Sequence, residues 1–485
     1  MVLIMSKSLL NPFNLKEREN TDNIEKAIHD LQIDDIVRNV FVDVSKQKRM
    51  LDILINLCTD KDTILYRQSV LRDFMYNRNL YYQIMKISND LDKCFQDYNA
   101  LVSSRLKVKS KSEISLTDSQ MSLKDYAISI EVLTKIYDRL NEIFINYGPA
   151  SDGLKEIQSK VYNRVKVKEY QDLKDTLKAI QSVAFGFNYS VNLDDKLYPQ
   201  DIKYILCNGK YTGEKFTLFK KKEESGRIDV IDKVTADFKS IGLEAFNRVV
   251  VVLEDIFETM YEDIAYLSRE FIFFEFGVTV YDMLGERRID CLFPSVGATT
   301  EYKNTKDIFL AMKYIKEGYS GKIYGNDITI KDEVSTLVVG ANNTGKTVFL
   351  RTIGINQIFG QSGLFIPADY AQISIKEDLA TIFSGEEKDT DVGGRFEKEV
   401  IDIKEIIDVV NSKSLVIINE IFQSTFANDG KNALFDILNY FTEINVSWIC
   451  VTHLTGILDE RNDFIKPVKC LETMGEKENY KIKEI

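Results

Sequence analysis

The chain has 485 residues, of which 44% are hydrophobic and 28% are charged, and its formal net charge at pH 7 is −12. This length predicts two to four domains, and the acidic charge disfavours non-specific coating of nucleic acid, because phosphate contacts require clustered lysine and arginine. The six cysteines include no C-x-x-C pair, which excludes a disulfide framework or a zinc site and is typical of a cytoplasmic protein. We find no secretory signal and no run of about 20 apolar residues, so a membrane is excluded as a partner.

Apolar residues at helical spacing dominate the first half of the chain. His29, one of only two histidines, lies in the amphipathic stretch DNIEKAIHDLQI, where a surface or helix-end position is the favoured interpretation. The stretches 41–60 and 64–95 carry apolar residues at i, i+3, i+4 and i+7, which predicts amphipathic helices. With so few histidines, a histidine-rich metal site is excluded.

Three short basic stretches are candidates for contact with DNA, although a solvated surface is the favoured interpretation of each: Lys107–Glu113, Lys160–Tyr170 and Phe219–Ser225. Around the last of them, residues 186–221 alternate aromatic and β-branched with polar side chains, which predicts a small β-insertion. The stretch 233–282 contains no proline. Read as one helix, these roughly 50 residues would span about 75 Å, which indicates a lever, a coiled coil or a broken pair of helices.

The pattern changes after RRIDCLFPSVG, where the short apolar runs STLVVG, SLVIINE and VSWICVTH alternate with helical segments. Strands that alternate with helices predict a mostly parallel sheet with helices on its faces. We therefore expect a boundary near residue 290, with a helical region over 1–290 and an α/β domain over 291–485.

The strongest motif is G-x-x-x-x-G-K-[ST], formed by Gly340, Ala341, Asn342, Asn343, Thr344, Gly345, Lys346 and Thr347. Its glycines let the loop curl so that backbone N–H groups converge on phosphate oxygens, and the next helix aims its positive end at them. Val348, directly after the motif, is a further candidate to bind the nucleotide. Lys346 supplies a charge for the β- and γ-phosphates, and Thr347 offers a hydroxyl to Mg²⁺. The alternative is a chance glycine-rich turn, which the flanking strand-like and helix-like runs disfavour.

A phosphate-binding loop alone neither holds its metal nor activates water. The strand-like run SLVIINEI ends in Asn419-Glu420, and Glu420 suits the role of polarising the attacking water. Asn419 offers Mg²⁺ an uncharged amide oxygen through water, which predicts weakened Mg²⁺ affinity. His453 follows the next strand-like run, at the edge where α/β sheets bind ligands, so it is a candidate to orient or sense the γ-phosphate rather than a purely structural histidine.

These segments together resemble the ATPase domain of the MutS family, which is known for DNA mismatch repair. Asn342 falls on the family's loop asparagine, Pro367-Ala368 on its Pro-Ala pair and Asp429-Gly430 on its Asp-Gly pair. A looser likeness in 60–84 and 267–296 extends the resemblance over about residues 40–475. It implies an ABC/MutS-type α/β P-loop NTPase domain at the C-terminus, after an all-α core and lever region with a small β-insertion.

The departures from the family's pattern are equally informative. Asn419 stands where the family has an aspartate, and its S-T-F-x-x-E segment, which reaches the other subunit's nucleotide, begins here at Gly394. Phe396 and Glu399 match that segment, whereas Arg395 replaces a hydroxyl, either as a phosphate ligand or as a solvated charge. The family's mismatch-reading, connector and C-terminal helix-turn-helix modules, and a nuclease domain, are expected to be absent.

The resemblance also implies an aromatic platform for adenine near GKIYGNDI, where Tyr324 either stacks on the base or simply packs. It further implies a cytoplasmic ATPase that uses ATP and Mg²⁺, a homodimer through the ATPase domains, and helical levers that change a grip on DNA, although not specifically on mismatched DNA. The alternative is a nucleotide-gated scaffold with little turnover. An ABC- or SMC-like ATPase fits less well, because the S-G-G-Q-type signature of those proteins is missing.

Overall fold

The structure is a computed structural model that describes residues 8–13, 15–16, 22–109, 116–182, 187–193, 199–206, 248–331, 334–383, 395–422, 426–460 and 462–485. Its helices are α1 Asp22–Asp30, α2 Ile33–Val40, α3 Val44–Ile55, α4 Lys61–Tyr76, α5 Arg78–Lys109, α6 Leu116–Asn146, α7 Asp152–Lys166, α8 Lys168–Ser182, α9 248–262, α10 Tyr266–Arg269, α11 Phe271–Glu286, α12 Ile308–Lys316, α13 Lys346–Ser362, α14 Arg395–Ile407 and α15 Ala427–Glu443. Its strands are β1 Phe187–Leu193, β2 Pro199–Leu206, β3 Ser295–Val296, β4 Thr300–Thr305, β5 Asn326–Ile330, β6 Thr336–Val339, β7 Tyr370–Ile373, β8 Asp378–Phe383, β9 Ser414–Asn419, β10 Ser447–Thr452, β11 Lys469–Thr473 and β12 Ile482–Glu484. No helix among these residues is long and apolar enough to cross a membrane.

The proline-free stretch 233–282 contains a broken series of helices and not one long rod. Residues 233–247 lie outside the described residues, and α9 ends before a turn at 263–265 that α10 and α11 follow. At the break, the N–H groups of Ile264, Leu267 and Ser268 each donate to the carbonyl three residues earlier, at 3.0 Å. This tighter winding ends an α-helix.

Contacts divide the chain into two compact units, each made of separate segments. The described part of unit 1 falls in Arg78–Ala150 and Leu154–Arg269, and unit 2 comprises Lys7–Asn77, Ser151–Gly153 and Glu270–Ile485. Residues 7–77 thus group with the α/β part of the chain. The boundary near residue 290 stays a prediction of domain organisation.

Unit 1 is built mainly of helices, with α5 packed against α6 and α10, and α6 against α8. Stacked aromatic rings join α5 to α9: Tyr98 lies on Phe257 with ring centroids 3.8 Å apart, and Phe95 lies on Tyr261 at 4.4 Å. Strands β1 and β2 form an antiparallel hairpin within the range of the predicted insertion. Residues 207–221, the rest of that insertion, lie outside the described residues.

Unit 2 contains the predicted parallel sheet, with strand order β12-β11-β6-β10-β9-β8. Only β12 is antiparallel to its neighbour in this sheet. Strands β6 and β10 are buried along their whole length, as expected for a parallel sheet covered on both faces. A second sheet has the order β3-β7-β4-β5. Because β6, β9 and β10 run parallel, their carboxyl ends meet at one edge of the larger sheet.

Helices α4, α11 and α13 pack together through aromatic side chains within unit 2. The ring of Phe74 lies 5.5 Å from that of Phe271, and Phe276 lies 5.8 Å from Phe359. Helix α13 is buried continuously from Phe349 to Ser362. This packing fixes α13, whose first two residues, Lys346 and Thr347, are the last two of the motif 340–347.

Candidate functional site

The motif 340–347 forms a tight loop between the end of β6 and the start of α13. Gly345 has φ +88° at the N-cap of α13, a left-handed conformation that glycine adopts without steric cost. At Gly340 an added Cβ would lie 2.1 Å from Thr473 Oγ1, so only glycine fits beneath that threonine. Asn343 also has a positive φ, 62°. The loop therefore curls over the N-terminus of α13.

Lys346 is held inside this loop. Its Nζ donates hydrogen bonds to the carbonyl oxygens of Gly340 and Ala341, each at 2.9 Å, and lies 3.1 Å from Glu420 Oε1. The residue is only 4% exposed. Thr344 Oγ1 also donates to Ala341 O, at 2.7 Å. The lysine charge is thus balanced by carbonyl dipoles and one carboxylate.

The turn after β9 places Glu420 opposite the loop. Glu420 has φ +50°, and its N–H donates to Val451 O at 2.9 Å, which ties the turn to β10. Phe422 N–H donates to the buried carboxylate of Glu399 on α14 at 2.8 Å. Glu399 therefore supports the turn. Gly394 and the side chains of Arg395 and Phe396 lie outside the described residues.

The two predicted metal-site residues lie next to each other. Thr347 Oγ1 donates to Asn419 Oδ1 at 3.4 Å. Both atoms are oxygens, the ligand type that Mg²⁺ prefers. Among the described residues, no group of three His, Cys, Asp or Glu side chains could hold a metal ion. A Mg²⁺ ion at this place would therefore take most of its ligands from a bound phosphate chain and water.

A cavity of about 720 Å³ opens beside the loop. Its walls include nine of the predicted residues: Tyr324, Asn342, Asn343, Gly345, Lys346, Thr347, Val348, Glu420 and His453. Gly340 and Ala341 line a neighbouring cavity of about 440 Å³, which His453 and Asn342 also border. Thr344 and Asn419 line neither of these two cavities. The exposed His453 thus lies where the two cavities meet.

Sequence reasoning missed Asp307, a buried carboxylate in the wall of the larger cavity. Asp307 accepts from Leu310 N–H at 2.5 Å as the N-cap of α12, and from Thr352 Oγ1 at 3.1 Å. Arg351 Nε lies 3.2 Å from Asp307 Oδ2, and Arg351 Nη1 donates to Gln32 Oε1 at 2.7 Å. The aspartate before the apolar run IFLAM was a usable N-cap signal.

Tyr480 is the second residue that the sequence did not indicate. Its ring centroid lies 6.2 Å from that of Tyr324 with the planes at 46°, and we call this pair the aromatic corner. Lys322 Nζ lies 5.1 Å from the centroid of the Tyr324 ring. A Cβ added to Gly345 would lie 3.4 Å from Tyr480 Cδ1, so the corner adjoins the phosphate-binding loop. Burial raises the pKa of Tyr314, which lines the same wall.

The arrangement separates three kinds of chemistry along one cavity. A helix N-terminus and Lys346 attract anions at one end of the cavity, and the aromatic rings next to Gly345 can stack on a planar group. Glu420 stands beside the anion end and can accept a proton from water. The volume lies within the usual range for small-molecule sites, about 300–1,000 Å³. A nucleoside triphosphate matches this order of groups.

Two sequence families match this chain. MutS domain V matches residues 336–484, which contain the loop and Glu420, and the MutS2 N-terminal domain matches residues 59–287. The chain belongs to the MutS family. The predicted resemblance is thereby confirmed, and the α/β part of unit 2 contains the family's domain V.

Individual relatives of this MutS-family chain agree with the match. It is 32% identical over 134 residues to the Endonuclease MutS2 of Lacticaseibacillus casei, covering 27% of this chain and 17% of the relative. It is 22% identical over 367 residues to the DNA mismatch repair protein MutS of Fervidobacterium nodosum, covering 71% of this chain and 42% of the relative. The DNA mismatch repair protein MSH3 of Lodderomyces elongisporus is 29% identical over 156 residues, covering 31% of this chain and 15% of the relative. The chain thus spans less than half the length of each of these relatives.

Proposed function

We propose that this MutS-family chain binds ATP with Mg²⁺ in the larger cavity and hydrolyses it. The observation that carries the proposal is the position of Lys346, buried in the loop at the N-terminus of α13 with Glu420 3.1 Å away. A buried lysine beside a helix N-terminus concentrates positive charge, which favours a polyphosphate. The aromatic corner, which adjoins the loop at Gly345, supports a nucleobase beside the phosphates.

The mechanism follows from the groups that surround this lysine. On binding, phosphate oxygens would replace the carbonyls of Gly340 and Ala341 as partners of Lys346, which would release the Glu420 carboxylate from its ion pair. Glu420 then polarises the attacking water, and His453 orients or senses the γ-phosphate. Thr347 and, through water, Asn419 would hold Mg²⁺, which neutralises charge on the β- and γ-phosphates.

The proposal is tested by calorimetry with the purified chain, ATP and Mg²⁺. We expect Lys346→Ala to weaken ATP binding at least about tenfold, because it removes a charge-assisted contact with the phosphates. Lys413→Ala is the matched control, since its side chain is 66% exposed and paired with Glu377 away from the cavity. The proposal fails if the wild type takes up no ATP, or if Lys346→Ala binds ATP like the wild type.

A second candidate function is a nucleotide-gated scaffold with little turnover. The observation that favours it is the uncharged Asn419 beside Thr347, where an aspartate would bring a charge to the metal. ATP hydrolysis by the wild type and by Asn419→Asp separates the two candidates. A scaffold predicts that both bind ATP and neither hydrolyses it, whereas a weak ATPase predicts faster turnover of Asn419→Asp at low Mg²⁺.

We further propose that two copies pair through their ATPase domains, and that nucleotide moves the helical levers and so changes a grip on DNA. Two relatives are named for DNA mismatch repair and one as an endonuclease, which supports DNA as a partner without specifying a mismatch.

Of the three basic stretches that are candidates for DNA contact, only 160–170 has all of its side chains described. There Lys160 pairs with Glu156 at 3.6 Å and Arg164 pairs with Asp263.

A titration of DNA at two salt concentrations tests the DNA proposal. A steep loss of affinity at the higher concentration would show that lysine and arginine contact phosphates, because such contacts release counterions. Affinity that does not change with salt, or no binding at the lower concentration, contradicts it.

A further inference from the structure

The loop 474–481 between β11 and β12 carries Tyr480 into the wall of the larger cavity. The loop closes on itself, since Met474 N–H donates to Lys481 O at 2.8 Å and Tyr480 N–H to Gly475 O at 3.1 Å. Asn479 and Tyr480 have φ values of 58° and 53°, in the left-handed region. A bulky residue seldom adopts this conformation unless its surroundings hold it there. The loop's own hydrogen bonds hold Tyr480 in part, and contacts from outside the loop add to them.

Asn326, at the start of β5, supplies that support with both ends of its amide. Its Nδ2 donates to Tyr480 O at 3.0 Å, and its Oδ1 accepts from Ile482 N–H at 3.1 Å. Lys481 Nζ adds a third bond, to Gly325 O at 3.0 Å. These contacts hold the chain from the carbonyl of Tyr480 to Ile482, although Asn326 and Tyr480 lie 154 positions apart in the sequence.

The segment that bears Asn326 is itself held against β4. A Cβ added to Gly325 would lie 2.4 Å from Asn304 O, which shows how closely the two backbones approach. Asn304 N–H donates to Asp327 Oδ1 at 2.7 Å. Tyr324, two residues before Asn326, belongs to the same segment. Asn326 thus links the segment that bears Tyr324 to the loop that bears Tyr480.

We propose that Asn326 is a positioning residue for the nucleobase: it holds the loop 474–481 so that Tyr480 and Tyr324 present one aromatic corner to the base of a bound nucleotide. This inference rests on the proposed function and adds a residue to the base end of the site. Asn326 lies between the ranges 59–287 and 336–484 that the two sequence families match, so neither match covers it. Its amide is engaged by the loop, so it acts through Tyr480.

The test compares ATP with inorganic tripolyphosphate, which carries the phosphates without a base, in calorimetry of the full chain with Mg²⁺. We expect Asn326→Ala and Tyr480→Ala each to weaken ATP binding about tenfold, the usual effect of losing one base–aromatic stack. Tripolyphosphate affinity should stay within about twofold of the wild type, because neither substitution changes a residue of the motif 340–347. The double variant should lose no more than either single variant, since both remove one interaction.

Two conservative variants and a fluorescence signal separate positioning from a general structural role. Tyr480→Phe keeps the ring and should bind ATP like the wild type. Asn326→Asp keeps the acceptor for Ile482 N–H but sets a carboxylate oxygen against Tyr480 O, so it should weaken ATP binding at least as much as Asn326→Ala. The triphosphate of 2-aminopurine riboside, whose fluorescence stacking quenches, should be quenched by the wild type and much less by Asn326→Ala.

The outcomes distinguish this inference from the function on which it rests. Unchanged ATP affinity of Asn326→Ala overturns the inference, and so does an equal loss of ATP and tripolyphosphate affinity, which would mean general damage to the site. If the wild type binds neither ligand, the proposed function falls and the inference with it. If the wild type binds both and Lys346→Ala loses both, nucleotide binding stands whatever Asn326→Ala shows.

Discussion

The Lys346–Glu420 pair is the charged centre of the site, and its burial determines how each residue can act. The side chains are 3% and 22% exposed, so neither charge is well solvated. A charge removed from water requires close partners, which Lys346 finds in Glu420 and in the carbonyls of Gly340 and Ala341. The pair therefore places the proposed phosphate-binding group next to the proposed base.

Replacement of Glu420 by glutamine tests its proposed role as the base. Glu420→Gln keeps the shape of the side chain but cannot accept a proton, so we expect ATP binding to persist while turnover falls about a hundredfold or more. Steady-state phosphate release and calorimetry measure the two effects on one preparation. The exposed Glu443→Gln on α15 is the control and should hydrolyse ATP at the wild-type rate. Turnover of Glu420→Gln at that same rate would exclude Glu420 as the base.

The site residues that the sequence predicted lie in local patterns, whereas those that it did not predict depend on contacts between residues far apart in the sequence. Lys346 and Thr347 lie within one contiguous motif whose spacing is set by the loop itself, so a single local pattern suffices. Tyr480 and Asn326 contact each other across 154 positions of the sequence, and neither lies in a local pattern that predicts this contact. Asp307 is intermediate, because its N-cap role is local and its contact with Arg351 is not.

At the scale of elements, α13 shows why helical spacing alone underestimates burial. The sequence predicts a helix after the loop, and α13 confirms it, yet polar side chains on it are fully buried together with the apolar ones. Gln361 Nε2 donates to the carbonyls of Cys58 and Lys376, each at 2.9 Å, and Asn356 Nδ2 donates to Thr305 Oγ1 at 2.8 Å. Partners from other elements accept hydrogen bonds from these N–H groups, and the positions of those partners cannot be read from the helix.

The close packing of α13 makes Gly354 sensitive to added volume. A Cβ there would lie 2.6 Å from both Leu31 Cδ atoms and 3.1 Å from Ile417 Cδ1, so Gly354→Val should lower the free energy of unfolding by about 1–3 kcal/mol. Urea denaturation measures the change. Gly285→Val is the matched control, because Gly285 is also helical and has no atom within 4 Å of the added Cβ.

A double variant shows whether Leu31 causes the effect. By itself, Leu31→Ala should lower the free energy of unfolding, because Leu31 is fully buried. Combined with Gly354→Val, it should lower the free energy of unfolding by less than the sum of the two single changes. Strict additivity would mean that the two residues do not share this contact.

At the scale of the whole molecule, unit 2 joins residues 7–77 to the α/β part of the chain. Helix α1 packs against β8, the edge strand of the larger sheet. Asn23 Nδ2 donates to Asp378 Oδ2 and Thr381 Oγ1 to Asp30 Oδ2, both at 2.6 Å, and burial raises the pKa of Asp30. The sequence predicts these helices as amphipathic but does not say which surface their apolar faces meet, because that match lies in tertiary packing.

This grouping predicts how fragments of unit 2 will behave. In the full chain, Phe41 packs on Phe276 and Leu31 packs beside Gly354. Residues 270–485 alone would expose these apolar surfaces, so we expect this fragment to aggregate or to unfold without a cooperative transition. Residues 7–77 joined to 270–485 by a short glycine-serine linker should instead unfold cooperatively and bind ATP. A short linker suffices because Phe74 and Phe271, close to the two ends, have ring centroids 5.5 Å apart.

The joined fragment lacks Ser151, whose N–H and Oγ donate to Asp73 Oδ2 at 2.8 and 2.9 Å, so we expect it to be less stable than intact unit 2 by about 1–3 kcal/mol. Asp73 does not line the larger cavity, so ATP affinity, measured by calorimetry, should match that of the full chain. Thermal unfolding and size-exclusion chromatography compare the two fragments. If 270–485 alone is monomeric, unfolds cooperatively and binds ATP as well as the joined fragment, residues 7–77 are dispensable and the site depends on the α/β part alone.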